Sequence, residues 1–295
     1  MRAVSVLLNA RSGTGHTEQK AQDLRRAFRE AGCDAIVASV GPDGDMRGIA
    51  RKLLDKQPDV LVAAGGDGTV GALADMVRGT DTALGVLPAG TFNHFARDLG
   101  IPLELEKAID VIAAGRRARV DVGEVNGRCF VNNASLGLYA DLVRERTRQQ
   151  RRLRRSKRTA MLWATLAMLD RPPLVDLRLE IDGKLQDCRA PFVFVGNNHY
   201  VLEGFNIGRR ERVDCGTLTV YTTRSCTTAG LVTLALRALV GRLRQAEDFM
   251  EAAASALRVE SPRHRLPVAT DGEVTLMETP LHFRVCRKSL QVMVP

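Results

Sequence analysis

Over its first hundred residues the chain alternates short apolar runs with longer amphipathic stretches. Ala3 to Leu8 reads as a strand. Thr17 to Ala31 carries Leu24, Ala27, Phe28 and Ala31 at helical spacing and stops at Gly32. Ala35 to Val40 reads as a strand, Met46 to Leu54 as a helix and Val60 to Ala64 as a buried strand. Val70 to Val77 follows as a helix, and Thr82 to Leu87 as a strand closed by Pro88. Strands alternating with helices of this length predict βαβ units around a parallel sheet. Ligands of such sheets bind beyond the carboxyl ends of the strands. Three Gly-rich turns fall at those ends: Asn9 to Gly15, Gly65 to Thr69 and Pro88 to Asn93.

After about Asp121 the texture changes to short strand-like runs separated by turn residues. These are Val120 to Val125, Arg128 to Ala134, Leu174 to Ile181, Pro191 to Gly196, Thr217 to Thr222, Leu257 to Glu260, Val274 to Met277 and Leu281 to Cys286. Asp182-Gly183 and Asp271-Gly272 sit between alternating segments and read as hairpin turns. Helical stretches at about Ala140 to Leu169 and Thr227 to Gly241 interrupt the strands. The expected fold class is an α/β N-terminal nucleotide domain followed by a mainly antiparallel β-sandwich C-terminal domain with inserted helices.

A length of 295 residues is comfortable for two domains, and an apolar fraction of 45% supports real cores. No apolar run reaches membrane-spanning length. The N-terminal run lacks a small-residue cleavage pattern and reads as a strand. Six scattered cysteines with no C-x-x-C pair fit a reducing cytoplasm and exclude a zinc-finger pattern. The net charge of +9 is concentrated. Between Arg144 and Arg158 lie nine Arg or Lys and one acid, Glu145. This segment reads either as a solvated helix face or as a surface for anionic lipid headgroups. Nucleic acid is the weaker partner, because no aromatics are interleaved for base stacking.

The most informative turn is Gly65-Gly66-Asp67-Gly68-Thr69, set between a strand and a helix. Glycines there let backbone N–H groups approach an anion. Asp67 would repel a phosphate unless a cation lies between them, which points to a nucleotide with Mg²⁺. Asn9-Ala10-Arg11-Ser12-Gly13 suits a second phosphate cradle but is not a P-loop, because no Gly-Lys-Ser/Thr closes it. Thr91 or Asn93 reads as a helix cap in the third turn.

The pair Gly65 to Thr69 and Leu87-Pro88-Ala89-Gly90-Thr91-Phe92-Asn93-His94-Phe95-Ala96-Arg97 resembles the diacylglycerol kinase catalytic family, which includes bacterial lipid kinases and sphingosine kinases. Asn9 to Gly13, Asp121, Asn132 to Gly137, Gly196-Asn197 and Asp271-Gly272-Glu273 extend the resemblance over nearly the whole chain. It implies domains at 1–122 and 123–280, with 281–295 returning to the first, and a cleft between them. It implies transfer of the ATP γ-phosphoryl group to a lipid hydroxyl, most simply that of diacylglycerol, by a peripheral enzyme at the cytoplasmic membrane face. By the resemblance, Asn9, Ala10, Arg11, Ser12, Gly13, Ser39, Gly65, Gly66, Asp67, Gly68, Thr69, Thr91 and Asn93 hold the nucleotide. Asp67 and Asp214 attend Mg²⁺, and Glu273 is the general base with Asp271 beside it. A homodimer is left open.

Three positions depart from the family pattern, and the stretch Leu202 to Gly208 lacks its usual glycine cluster. Gly71 and Ala72 stand where Asn-Glu is common. Cys215 stands at a carboxylate position, with Asp214 one residue early. A kinase of another hydroxyl compound, such as an NAD kinase, and a non-catalytic nucleotide- or lipid-binding protein are the alternatives.

Overall fold

The computed structural model describes residues 2–9, 17–41, 44–137, 174–201, 208–210, 212–224, 227–239, 242 and 245–295. The chain divides into two units, 1–122 with 287–295, and 123–286. In order the elements are β1 (Arg2–Asn9), α1 (Thr17–Glu30), β2 (Cys33–Val40), α2 (Met46–Leu54), β3 (Val60–Gly65), α3 (Asp67–Val77), β4 (Ala83–Pro88), α4 (His94–Asp98), α5 (Leu105–Ala114), β5 (Arg117–Val125), β6 (Arg128–Phe130) and β7 (Asn133–Gly137). Then come β8 (Val175–Ile181), β9 (Lys184–Ala190), β10 (Phe192–Asn197), β11 (Leu218–Thr223), α6 (Thr228–Leu239), β12 (Phe249–Ala254), β13 (Ala256–Glu260), β14 (Arg265–Thr270), β15 (Glu273–Glu278) and β16 (Leu281–Met293).

In the first unit the strands lie in the order β2-β1-β3-β4-β16, all parallel. Every residue of β3 is buried, which is why it reads as an unbroken apolar run. α1 buries Ala21, Leu24 and Phe28, a stripe at helical spacing. Phe28 is fully buried, so its truncation to Ala would cost about 3–5 kcal/mol. α3 starts at Asp67, three residues before the apolar pattern begins. Gly66 is its N-cap and Asp67 lies in its first turn, where a carboxylate favours the helix dipole. Asp67, Gly68 and Thr69 are therefore helical residues, not turn residues. α5 has no counterpart in the sequence reading; its buried face is Ala108, Ile109, Val111 and Ile112.

In the second unit, β12-β11-β10-β7-β14-β15 form one antiparallel sheet. β13, β8, β9 and the first part of β16 form a second set of antiparallel pairs, and β5 and β6 form a hairpin. One core draws on both sets, with Ala134, Leu136, Val193, Val195 and Val220 from the first and Leu177, Leu179, Leu257 and Phe283 from the second. Alternate residues supply it, the signature of sheets packed face to face. Both Asp-Gly pairs are hairpin turns with two positive φ angles, 45° and 83° at Asp182-Gly183, 47° and 82° at Asp271-Gly272.

The expected C-terminal segment 281–295 divides at 286/287. The cause is that β16 is one 13-residue strand with two sets of partners. Leu281 to Arg284 pair with β13, whereas Val292 pairs with Leu84 of β4. Lys288 interrupts the ladder at φ 47°, and its N–H donates to the buried Asp121 carboxylate at 2.8 Å. β12 has the sequence Phe-Met-Glu-Ala-Ala-Ala, poor in β-formers, and is set by its pairing with β11.

Candidate active site

In the first unit the ends of β1, β3 and β4 bring three elements together. Asn9, the last residue of β1, donates from Nδ2 to Thr69 Oγ1 at 2.8 Å. Gly65 closes β3 against the same threonine; a Cβ there would meet Thr69 Oγ1 at 2.6 Å. Gly66 and Gly90 touch through their backbones. A Cβ on Gly90 would stand 2.5 Å from Gly66 Cα and 2.8 Å from Asn93 Oδ1. Asn93 holds that turn from both sides. Its Oδ1 accepts the Gly90 N–H at 2.9 Å, and its Nδ2 donates to the Gly90 carbonyl at 3.1 Å. To do so it takes φ 52°, which asparagine tolerates better than most residues.

Asp67 ties two helix starts together. It lies in the first turn of α3, and its Oδ1 accepts the Phe95 N–H, in the first turn of α4, at 3.2 Å. Thr91 is exposed on the same turn as Gly90, and Ser39 pairs with Leu8 near the end of β1. A helix N-terminus and glycine backbones are the chemistry that suits a phosphate, and a carboxylate beside them is the chemistry that suits a hard cation. Mg²⁺ is commonly held by one or two carboxylates together with phosphate oxygens and water. Asp67 fits that donor set. Ala10, Arg11, Ser12 and Gly13 lie outside the described residues, as does Arg144 to Arg158.

In the second unit the Asp271-Gly272 turn is anchored rather than free. Asp271 Oδ2 accepts the Val131 N–H at 2.8 Å. Its Oδ1 accepts those of Asn132 at 2.8 Å and Asn133 at 3.2 Å. Burial pushes the carboxyl up to about 6, while the three N–H groups and the Arg210 charge pull it back down. Glu273, two residues on, is half exposed and pairs with Arg128 Nη2 at 3.0 Å. Arg128 also bonds the Thr275 hydroxyl. Geometry thus divides the two acids: Asp271 fixes the backbone, and Glu273 presents a carboxylate.

Arg210 is the residue that the sequence reading missed. It is buried and donates to the carbonyls of Val131 at 2.6 Å and Asn197 at 3.1 Å and to Asn132 Oδ1 at 2.9 Å. Its guanidinium lies 5.6 Å from the centre of the Tyr200 ring, whose hydroxyl donates to the Asn132 carbonyl at 2.9 Å. Nothing in Arg209-Arg210-Glu211-Arg212 distinguishes this side chain from its charged neighbours. Asp214 pairs with Arg212 at 3.1 Å, and the exposed Cys215 donates its backbone N–H to Asn198 Oδ1 at 2.9 Å. Among the described residues no group of three or more His, Cys, Asp or Glu side chains gathers as a metal site.

The sequence matches the model of the diacylglycerol kinase catalytic domain over residues 3–125. Over residues 134–294 it matches the YegS C-terminal NAD kinase beta sandwich-like domain. An α/β nucleotide-type unit followed by such a sandwich is the two-domain lipid kinase fold. Residues 3–125 belong to the diacylglycerol kinase catalytic-domain family, and the chain as a whole joins that domain to the YegS-type C-terminal sandwich. Diacylglycerol kinases of Staphylococcus aureus strains RF122 and MRSA252 are each 31% identical to it over 193 residues, 65% of this chain. That alignment spans 61% of the length of those curated relatives, about three fifths. A solved diacylglycerol kinase from Bacillus anthracis strain Sterne superposes with a TM-score of 0.69 at 20% identity, over 100% of this chain and 97% of its own. Another solved chain from that strain, proposed to be a diacylglycerol kinase, gives 0.78 at 22%, over 100% and 98%. At these identities the superpositions speak for the fold alone.

Proposed function

We propose that this protein is an ATP-dependent lipid kinase that transfers the γ-phosphoryl group to the hydroxyl of diacylglycerol or a closely related lipid, at the cytoplasmic face of a membrane. The observation that carries the reading is the meeting of Asn9, Gly65 to Thr69 and Gly90 to Asn93 at three neighbouring strand ends. Phosphoryl transfer asks a protein mainly for positioned phosphates and charge neutralisation. The glycine backbones and the α3 N-terminus would hold phosphate oxygens, and Asp67 would hold Mg²⁺, which supplies neutralisation of the developing charge. Glu273 would accept the proton of the acceptor hydroxyl, oriented by Arg128. Asp271 would act through the backbone it anchors, not as a second base.

The test is γ-phosphoryl transfer by the purified protein with Mg²⁺ and diacylglycerol in mixed micelles, beside Asp67→Asn and Glu273→Gln. Labelled lipid from the wild type, and none from either variant, supports the reading. ATP binding without labelled lipid would sink it. NAD is the second acceptor to include, because the C-terminal half matches a domain described as NAD kinase-like.

A further inference from the structure

We propose that the exposed face of α6 is a docking surface for an anionic membrane. α6 is capped by Thr227, whose Oγ1 accepts the Gly230 N–H at 3.1 Å. Leu234 turns inward and is buried. The opposite face carries Ala229, Val232, Thr233, Leu236 and Arg237, all exposed and spaced at three and four residues. Val232 is 41% exposed and Leu236 59%, one turn apart. Among the described side chains of this face the one hydroxyl, that of Thr233, already donates to the Ala229 carbonyl at 2.9 Å. Val232, Thr233 and Leu236 can therefore leave water without stranding the Thr233 hydroxyl, while Arg237 sits at the edge of the patch.

Charge identifies the occupant. From Cys215 to Ala246 the chain has no carboxylate and four arginines, Arg224, Arg237, Arg242 and Arg244. Arg237 closes the apolar face, and the exposed Arg242 follows directly, its N–H bonded to the Arg237 carbonyl at 2.8 Å. An apolar helix face edged by arginine is the pattern of a helix lying in a bilayer interface. The other exposed pair, Leu103 and Leu105 near the start of α5, is interleaved with Glu104 and Glu106, which an anionic surface would repel.

This inference deepens the lipid kinase reading, and its test separates the two. Sedimentation with phosphatidylglycerol/phosphatidylcholine vesicles would compare the wild type with Val232→Ser/Leu236→Ser and with Arg237→Glu/Arg242→Glu. Thermal unfolding serves as the folding control. The wild type should bind these vesicles and not pure phosphatidylcholine. Each double variant should bind at least about tenfold more weakly, since each arginine near such a surface is worth about fivefold. Transfer to a monomerically soluble short-chain diacylglycerol should be the same for the serine variant and the wild type. Vesicle binding without any phosphoryl transfer would leave docking standing and remove the kinase reading. Wild-type binding retained in both variants, or absent altogether, would overturn the docking assignment. So would a dimer that the serine substitutions dissolve without affecting vesicle binding.

Discussion

The Asp67 carboxylate accepts the backbone N–H of Phe95 at 3.2 Å, so one acidic side chain in the first turn of α3 also organises the start of α4. Asparagine keeps an oxygen for that bond and removes the charge. Asp67→Asn should therefore fold with little loss of stability while phosphoryl transfer falls about 10²- to 10³-fold. Thermal unfolding beside steady-state transfer rates checks both halves. A variant that is active and unstable would assign Asp67 to the fold alone.

The contact between Gly66 and Gly90 makes a separate prediction. A methyl group on Gly90 has no room, because both nearest partners are close and one is backbone. Gly90→Ala should cost about 1–3 kcal/mol and weaken nucleotide binding by spreading the two turns. Gly41→Ala is the control, since a Cβ there meets nothing within 4 Å. Calorimetric ATP titration of the two variants decides the matter. Equal affinity would mean that the turns do not contact the nucleotide.

Much of this was legible in the chain, and what was not has a common cause. β1, β3 and β4 of the first unit are buried along most of their length and read as apolar runs, and α1 and α2 carry clear stripes. Asp-Gly marks both hairpins because their φ angles suit few other residues. Yet the two Asp-Gly turns look alike locally, and only tertiary partners tell them apart. Asp182 bonds Ser255 and Ala256 at the start of β13, whereas Asp271 bonds Val131, Asn132 and Asn133, up to 140 residues away. Periodicity carries no information about such partners. The same holds for Arg210, whose acceptors lie 13 to 79 residues away.

Arg210 should be intolerant of truncation. Its three acceptors are buried, and the Asp271 charge is partly compensated by it. Arg210→Met should destabilise the protein by about 3–5 kcal/mol, the usual consequence of removing one member of a buried charged group. Arg210→Lys should recover only part of that, because an ammonium cannot reproduce the planar fork. Chemical denaturation midpoints of the three proteins test the order wild type, Lys, Met. A lysine variant as stable as the wild type would reduce Arg210 to a point charge.

Asp271 also predicts a pH dependence with a definite sign. A carboxyl of this type ordinarily titrates near 3.8, and burial lifts it to about 6 against the pull of its N–H donors and Arg210. The folded chain therefore holds this proton more tightly than the unfolded chain does. The stabilisation from this group is complete below about pH 3.8, declines as pH rises through about 6, and is absent above it. A shift of about two pH units corresponds to about 3 kcal/mol. Asp182 and Glu278 are shifted the other way, downward, so the slope of the whole protein mixes opposing contributions. The difference between wild type and Asp271→Asn isolates the one of interest. Across pH 4 to 7.5 in chemical denaturation, the stability advantage of the wild type over the variant should shrink by up to about 3 kcal/mol. A constant difference would mean that Asp271 titrates alike in both states and that its three backbone donors offset burial in full.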